Sequence, residues 1–373
     1  IVGVVIIGGG IETIEAVFED NIGTATTRAS GGAITNSKGT NIGKIDSTFK
    51  NNSLLATNNV SGGAFENSGN TKILKGLFEG NNIESTSGNA WGGAVINGTN
   101  ANIGDIDATF KNNSAKGKVH SYGGAIQNQW TITSIRGSFE GNSAYQGGAI
   151  NNSSNGLITT INADFIGNNA EGVGSAICNG GRIDSITGNF TNNIGPTVIY
   201  SSGTIGDITG EFTGNSNTTV SSGGIILSSS NGNVGNISGK FKNNYQDFTG
   251  AEDSEVWGGI MYFRAGTKSD GKDLTTPTEF KTGMISGEFT DNYFTAETIH
   301  GSGIHFRAVT SANYQTIAKG INGTFTGNHG IATKNYAHGG VIYNEASNAI
   351  STIETIAGTY TKNYISAKTN AQG

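Results

Sequence analysis

The chain has 373 residues with 60 glycines, is only 34% hydrophobic and 13% charged, and carries a formal net charge of −6. A mildly acidic chain without a basic run offers nucleic acid nothing to hold. No apolar stretch reaches the roughly 18 residues of a membrane-spanning helix, so no membrane insertion by this segment is expected.

The first predicted element is the apolar run over residues 1–11, IVGVVIIGGGI, which is strand length. It has no initiator Met and no basic flank, so it is not read as a signal peptide. A chain that opens inside an apolar run reads as a fragment of a longer protein. From residue 18 a repeat takes over. Twelve times an aromatic residue is followed three positions later by asparagine, at Phe18, Phe49, Phe78, Phe110, Phe139, Phe165, Phe190, Phe212, Phe241, Phe289, Phe325 and Tyr360. The partners are Asn21, Asn52, Asn81, Asn113, Asn142, Asn168, Asn193, Asn215, Asn244, Asn292, Asn328 and Asn363. The mean period of about 31 residues marks a repeat architecture.

Inside each repeat an aliphatic residue sits four before the aromatic, from Ile14 and Ile45 through to Ile356. A small residue sits two before it, as at Ala16, Ser47, Gly76 and Gly358. Aliphatic, small and aromatic at alternate positions is the period of a strand with one buried face. The small residue is expected to make room for the phenyl ring. A further aliphatic seven before the aromatic, such as Ile42 or Ile103, has an odd offset and places a bend between the two. After most aromatics comes a second signature, Gly31-Gly32-Ala33-Ile34 in its first copy and Gly147-Gly148-Ala149-Ile150 in its fifth. Glycine there permits positive φ and close backbone approach, as a sharp corner requires.

The shortest repeats decide the unit. Only 22 residues separate Phe190 from Phe212. That is too few for a strand–helix–strand crossover and enough for one turn of a β-helix, while the spacing of a leucine-rich repeat is absent. The expected fold is all-β: a right-handed single-stranded parallel β-helix of about twelve coils, three short strands per coil. It is read as a single domain over 1–373, with an irregular loop-bearing region at about 245–320. The repeated asparagines fall at the corner that ends a strand, where Asn tolerates the left-handed region, and they are read as a structural hydrogen-bonded ladder. Three before the aromatic, Asp46, Lys75, Asp107 and Arg136 form an alternating charge ladder on a solvated face.

Catalysis on such a scaffold needs two or three carboxylates converging from adjacent coils. Asp105 with Asp107, and Asp207 with Glu211, each lie in one coil without an acid or base partner next door. The five histidines (His120, His300, His305, His329, His338) are dispersed, and Cys178 stands alone, which rules out an internal disulfide. No catalytic residue, metal or cofactor is expected. The one irregularity is the 48-residue interval from Phe241 to Phe289. Within it Tyr262-Phe263-Arg264-Ala265 rhymes with His305-Phe306-Arg307-Ala308 of the next coil, which puts Phe263 and Phe306 on one side and stacks Arg264 on Arg307 on the other. Trp257, Tyr262, Arg264, His305 and Arg307 are therefore a candidate ligand-binding patch for a sugar or an acidic group. The competing reading has the arginines neutralised by loop acids such as Asp247, Glu252, Asp253 or Asp270.

The Gly-Gly-Ala-Ile and Phe-x-x-Asn signatures, recurring together over residues 11–363, resemble the repeats of the chlamydial polymorphic outer-membrane proteins and related autotransporter passengers. The resemblance implies a β-helix displayed outside a Gram-negative cell, adhesive, and outer-membrane-anchored through a C-terminal barrel not present here. The expected function is that of a surface-displayed or secreted adhesin or passenger stalk without catalysis. Its expected partner is a protein or glycan on a host or neighbouring-cell surface. Two alternatives stay open: a polysaccharide-processing β-helix enzyme using the 245–320 loops, and a filament subunit that self-associates through the strand edges of its terminal coils.

Overall fold

The computed structural model describes residues 4–217, 223–230, 232–265, 278–309, 314–347 and 349–372. The described residues contain no helix, and their strands pair in parallel. They fall into two compact units, Ile1–Gly188 and Asn189–Gly373, and each is an all-β parallel β-helix.

In the first unit the three faces of a coil are unequal. One carries three-residue strands that follow the Gly-Gly corner, such as Phe65–Asn67 and Val95–Asn97. The next carries ten-residue strands, among them Asn41–Lys50, Asn70–Glu79 and Asn102–Lys111. Their predicted bend is present: pairing runs Thr71 with Ile42, then skips to Ile73 with Lys44, and both Ile42 and Ile45 remain buried. The third face carries four-residue strands such as Ser53–Ala56 and Asn82–Ser85.

Within each unit a coil lays its aromatic ring over the last. In the first unit the centroids from Phe18 to Phe165 are 4.6–5.1 Å apart and nearly parallel. In the second, from Phe190 to Tyr360, they are 4.3–5.0 Å apart. Isolated aromatic pairs favour offset or edge-on geometry. Here strand spacing of about 4.7–4.9 Å imposes the stack.

Two local expectations are corrected. The small residue two before the ring mostly answers backbone, not the phenyl group. A Cβ on Gly76 would lie 1.9 Å from the Ser47 carbonyl oxygen, and one on Gly239 would lie 1.8 Å from that of Gly210. Both glycines also have positive φ. The left-handed residue that ends the strand is the one before the ladder asparagine. Asp20, Asn51, Gly80 and Asn112 hold this place in the first unit, Asn243, Asp291, Gly327 and Lys362 in the second, all at φ between 52° and 68°. The ladder asparagine comes next and is free to turn its amide inward.

Lys362 is the one lysine in that left-handed position, at φ 55°. A side chain with Cβ pays about 1 kcal/mol there, which Asn partly escapes by local hydrogen bonding. Lys362→Asn is expected to stabilise the second unit by about 0.5 kcal/mol in urea unfolding, and a destabilised variant would refute the assignment.

In the second unit the corresponding face carries Thr204–Thr213, Ile237–Lys242, Thr278–Thr290 and Tyr314–Thr326. Part of the 48-residue interval builds an additional arm, Glu255–Trp257, which pairs with Thr298–His300; that strand in turn pairs with Tyr336–His338. The arm runs straight into a Gly corner and then into Met261–Ala265, Ile304–Val309 and Ile342–Ser347 of the neighbouring sheet.

Candidate functional site

The asparagine ladder is interior from Asn52 to Asn168 and from Asn193 to Asn328, and its end members Asn21 and Asn363 are half-buried. Asn52 Nδ2 donates to Asn81 Oδ1 (2.8 Å), Asn81 to Asn113 (2.9 Å) and Asn113 to Asn142 (2.9 Å). Asn21 and Asn168 extend the column at its two ends. In the second unit Asn193, Asn215, Asn244, Asn292, Asn328 and Asn363 repeat the arrangement. From Asn52 to Asn168, and from Asn215 to Asn363, each amide also donates to an aromatic carbonyl one coil back, as Asn113 does to Phe78 (2.8 Å). Both protons and the oxygen are thereby used, which meets the full demand of a buried carboxamide.

A second ladder escaped the sequence reading. Asn36, Asn67, Asn97, Asn128, Asn152 and Asn179 are buried and joined Nδ2 to Oδ1 at 2.8–2.9 Å. Its signal is an asparagine two residues past the Gly-Gly-Ala-Ile tetrad. In the second unit the same register position holds Phe263 and Phe306, whose rings stack at 4.9 Å.

The acids considered for catalysis are engaged between coils. Asp105 accepts from Ser134 Oγ (2.6 Å), and Asp107 pairs with Lys75 at 3.1 Å. Asp207 accepts from the Asn236 backbone (2.8 Å), and Glu211 pairs with Lys240 at 3.3 Å. The two ion pairs are exposed and each contributes about 0–1 kcal/mol. Among the described residues no group of three or more His, Cys, Asp or Glu gathers at metal-ligand distance. Burial pushes the Cys178 thiol up to about 12, leaving no reactive thiolate.

The candidate patch of the second unit comes together around the Gly corner, with more members than expected. Register aligns Trp257 with His300 and His300 with His338 on one side of the corner. On the other side it aligns Tyr262, His305 and Tyr343, and beside them Arg264, Arg307 and Glu345. The floor is glycine. Gly258, Gly301 and Gly339 all have positive φ, and a Cβ on Gly258 would come 2.8 Å from that of His305. Over this floor the two walls lean together. Trp257 stacks on His300 at 3.7 Å, and His305 lies 5.8 Å from Trp257 and 4.7 Å from Tyr343.

For Arg307 the competing reading is revised: the acid beside it is Glu345, from the next coil, at 3.3 Å. Asp247 is occupied by Thr249, and Glu297, in the arm's neighbourhood, serves Lys334 and the Asp253 backbone; Asp270 lies outside the described residues. Glu345 also reaches His305 Nε2 at 3.2 Å, and the Arg307 guanidinium carbon sits 3.9 Å over the Trp257 ring. Tyr262, His300 and His305 are buried; Trp257, Arg264, Arg307, His338, Tyr343 and Glu345 are half-buried.

Burial sets the electrostatics. It pushes His300 down to about 4, aided by the neighbouring His305 charge. It also lowers His305, against the opposing pull of Glu345. Hydrogen bonding to His305 holds the Glu345 carboxyl below its usual range despite some burial. Among the described residues His300 Nε2 has no hydrogen-bond partner. The cluster is thus built for neutral imidazoles, with one carboxylate between a histidine and an arginine.

A scan against family models, a search of curated proteins and a search of solved structures each returned no match to this chain.

Proposed function

We propose that the chain is a bacterial β-helical adhesin, surface-displayed or secreted, whose coils act as a stalk and whose second unit presents a contact surface without catalysis. The observation that carries this reading is the Gly-corner cluster. It joins half-buried Trp257, Tyr343 and Arg307, and Trp, Tyr and Arg dominate the energetics of recognition surfaces. Elsewhere the acids considered for catalysis are tied to the neighbouring coil, which supports a scaffold over a hydrolase. The partner is a protein or glycan on a host or neighbouring cell, and the location outside the cell follows from the same reading.

Adherence of beads coated with the chain to cells or to immobilised surface extract provides the test. Trp257→Ala and Tyr343→Ala together are expected to weaken attachment about 30-fold, the equivalent of losing roughly 2 kcal/mol of hot-spot contact. Undiminished attachment by a folded double variant would remove the cluster from the contact surface. Reproducible release of reducing sugar from a polysaccharide panel would replace the adhesin with an enzyme.

A further inference from the structure

A different site emerges in the first unit, where the coils change size. From aromatic to corner glycine the chain takes 13 residues at Phe18–Gly31, Phe49–Gly62 and Phe110–Gly123, and 14 at Phe78–Gly92. The next two coils take 8, at Phe139–Gly147, and 9, at Phe165–Gly174. In the longer coils the additional residues fold out as a lobe with its own small core, including Leu54, Val60, Ile83 and Ala90. The fifth coil has no lobe. Its single strand Ser143–Gln146 pairs with both arms of the coil before it, Ser114 with Ser143 and Tyr122 with Gln146. The fourth lobe is therefore left uncovered on the side facing the shorter coils, and the wall has a step.

The step is a groove of about 680 Å³, within the range of about 300–1,000 Å³ typical of small-ligand clefts. Tyr145, 40% exposed, is its aromatic floor. The ring lies against Gly172 of the next coil, where a Cβ would come within 2.9 Å of it. The Tyr145 backbone N–H donates to Ser121 Oγ (2.9 Å), which ties floor to wall. His120 stands on the lobe at 5.7 Å and 45° from the Tyr145 ring, so the two rings make an open V. The charged lining cancels: Lys116 and Lys118 face Glu84 and Glu171, and Lys116 pairs with Glu84 at 3.4 Å.

We propose that this step binds a neutral oligosaccharide. An aromatic face held flat takes the C–H face of a sugar ring, and the serine, asparagine and charged side chains around it supply hydroxyl partners at fixed positions. The balanced charge gives no preference for an anionic or cationic ligand. Strand addition by a peptide is disfavoured, because the lobe's edge at residues 118–120 is not extended strand. The site lies in a different unit from the Gly-corner cluster and does not depend on the adhesin reading.

The test is a glycan array followed by calorimetric titration with neutral dextrin, mannan and xylan fragments, using the whole chain. The wild type is expected to bind at least one neutral series. Tyr145→Ala is expected to weaken it at least tenfold, while Tyr145→Phe stays within about twofold because stacking needs no hydroxyl. His120→Ala, at an exposed position, is expected to give an intermediate loss with an unchanged melt. Trp257→Ala leaves this binding as it is, which separates the two sites. No neutral glycan bound, binding confined to anionic glycans, or wild-type affinity in both Tyr145→Ala and His120→Ala would each overturn the proposal.

Discussion

Asn113→Ala is expected to lower the unfolding free energy of the first unit by about 3–5 kcal/mol. The Asn113 side chain is fully buried and takes part in four hydrogen bonds. Alanine leaves the Asn81 backbone N–H and one Asn81 amide proton without partners and removes one of the bonds that the Phe78 carbonyl accepts. Each such orphan costs about 1–3 kcal/mol in a dry interior. The damage spreads to both neighbouring coils, because a solenoid is held by nearest-neighbour interfaces. Asn102→Ala is the control: its amide reaches Asn70 at 2.9 Å in an exposed row, so a loss within about 0.5 kcal/mol is expected. Chemical denaturation of the two variants side by side decides it. A loss under about 1 kcal/mol at Asn113 would mean that water or backbone relaxation replaces the ladder.

Mild acid is expected to loosen the second unit as the pH falls below about 6.5. His300 falls from 6.5 to about 4 on folding, and burial lowers His305 in the same direction. A histidine whose folded value is depressed contributes stability that is complete above about pH 6.5. That stability is lost as the pH falls toward 4, because the unfolded chain binds the proton first. The groups facing the pair are Trp257, Arg307, Tyr336, His338, Tyr262, Tyr343 and Glu345, and among these described residues Glu345 is the acid that can compensate a new positive charge. Protonating His300 alone costs up to about 3 kcal/mol, with His305 adding to it. Glu345, held low, adds its own loss below the usual carboxylate range. Melting temperatures from pH 7.5 to 4.0 should fall across pH 6 to 4 in the wild type and fall less in His300→Phe, which keeps a ring against Trp257. Parallel profiles for the two proteins would assign the acid response elsewhere.

Much of this architecture is legible in the residues because a parallel coil repeats its environment at every turn. A ring, a small residue and an asparagine at fixed offsets can satisfy only a stack, and Phe78 on Phe110 at 4.8 Å is the outcome. The second ladder was harder to read, since its asparagine lies outside the tetrad that drew attention and gives way to Phe263 and Phe306 later in the chain. Of the Gly-corner cluster, Trp257 and Arg307 are visible as an irregular patch. His300, His338 and Glu345 are not, because the column reads Trp, His, His on one side and Arg, Arg, Glu on another. Residue identity changes along such a column, and only register reveals that the members share an edge. The left-handed corner was misplaced by one residue because asparagine is common at both positions, and tolerance of positive φ does not say which of the two must adopt it.

The two asparagine columns of the first unit also have a sense of direction. In both, each amide nitrogen points to the oxygen of the following turn, as from Asn52 to Asn81 and from Asn67 to Asn97. Rotating one carboxamide by half a turn would set nitrogen against nitrogen on one side and oxygen against oxygen on the other. No single amide is therefore free to flip. Orientation is a property of the whole file of side chains, and mutual polarisation along it makes reversal a collective event.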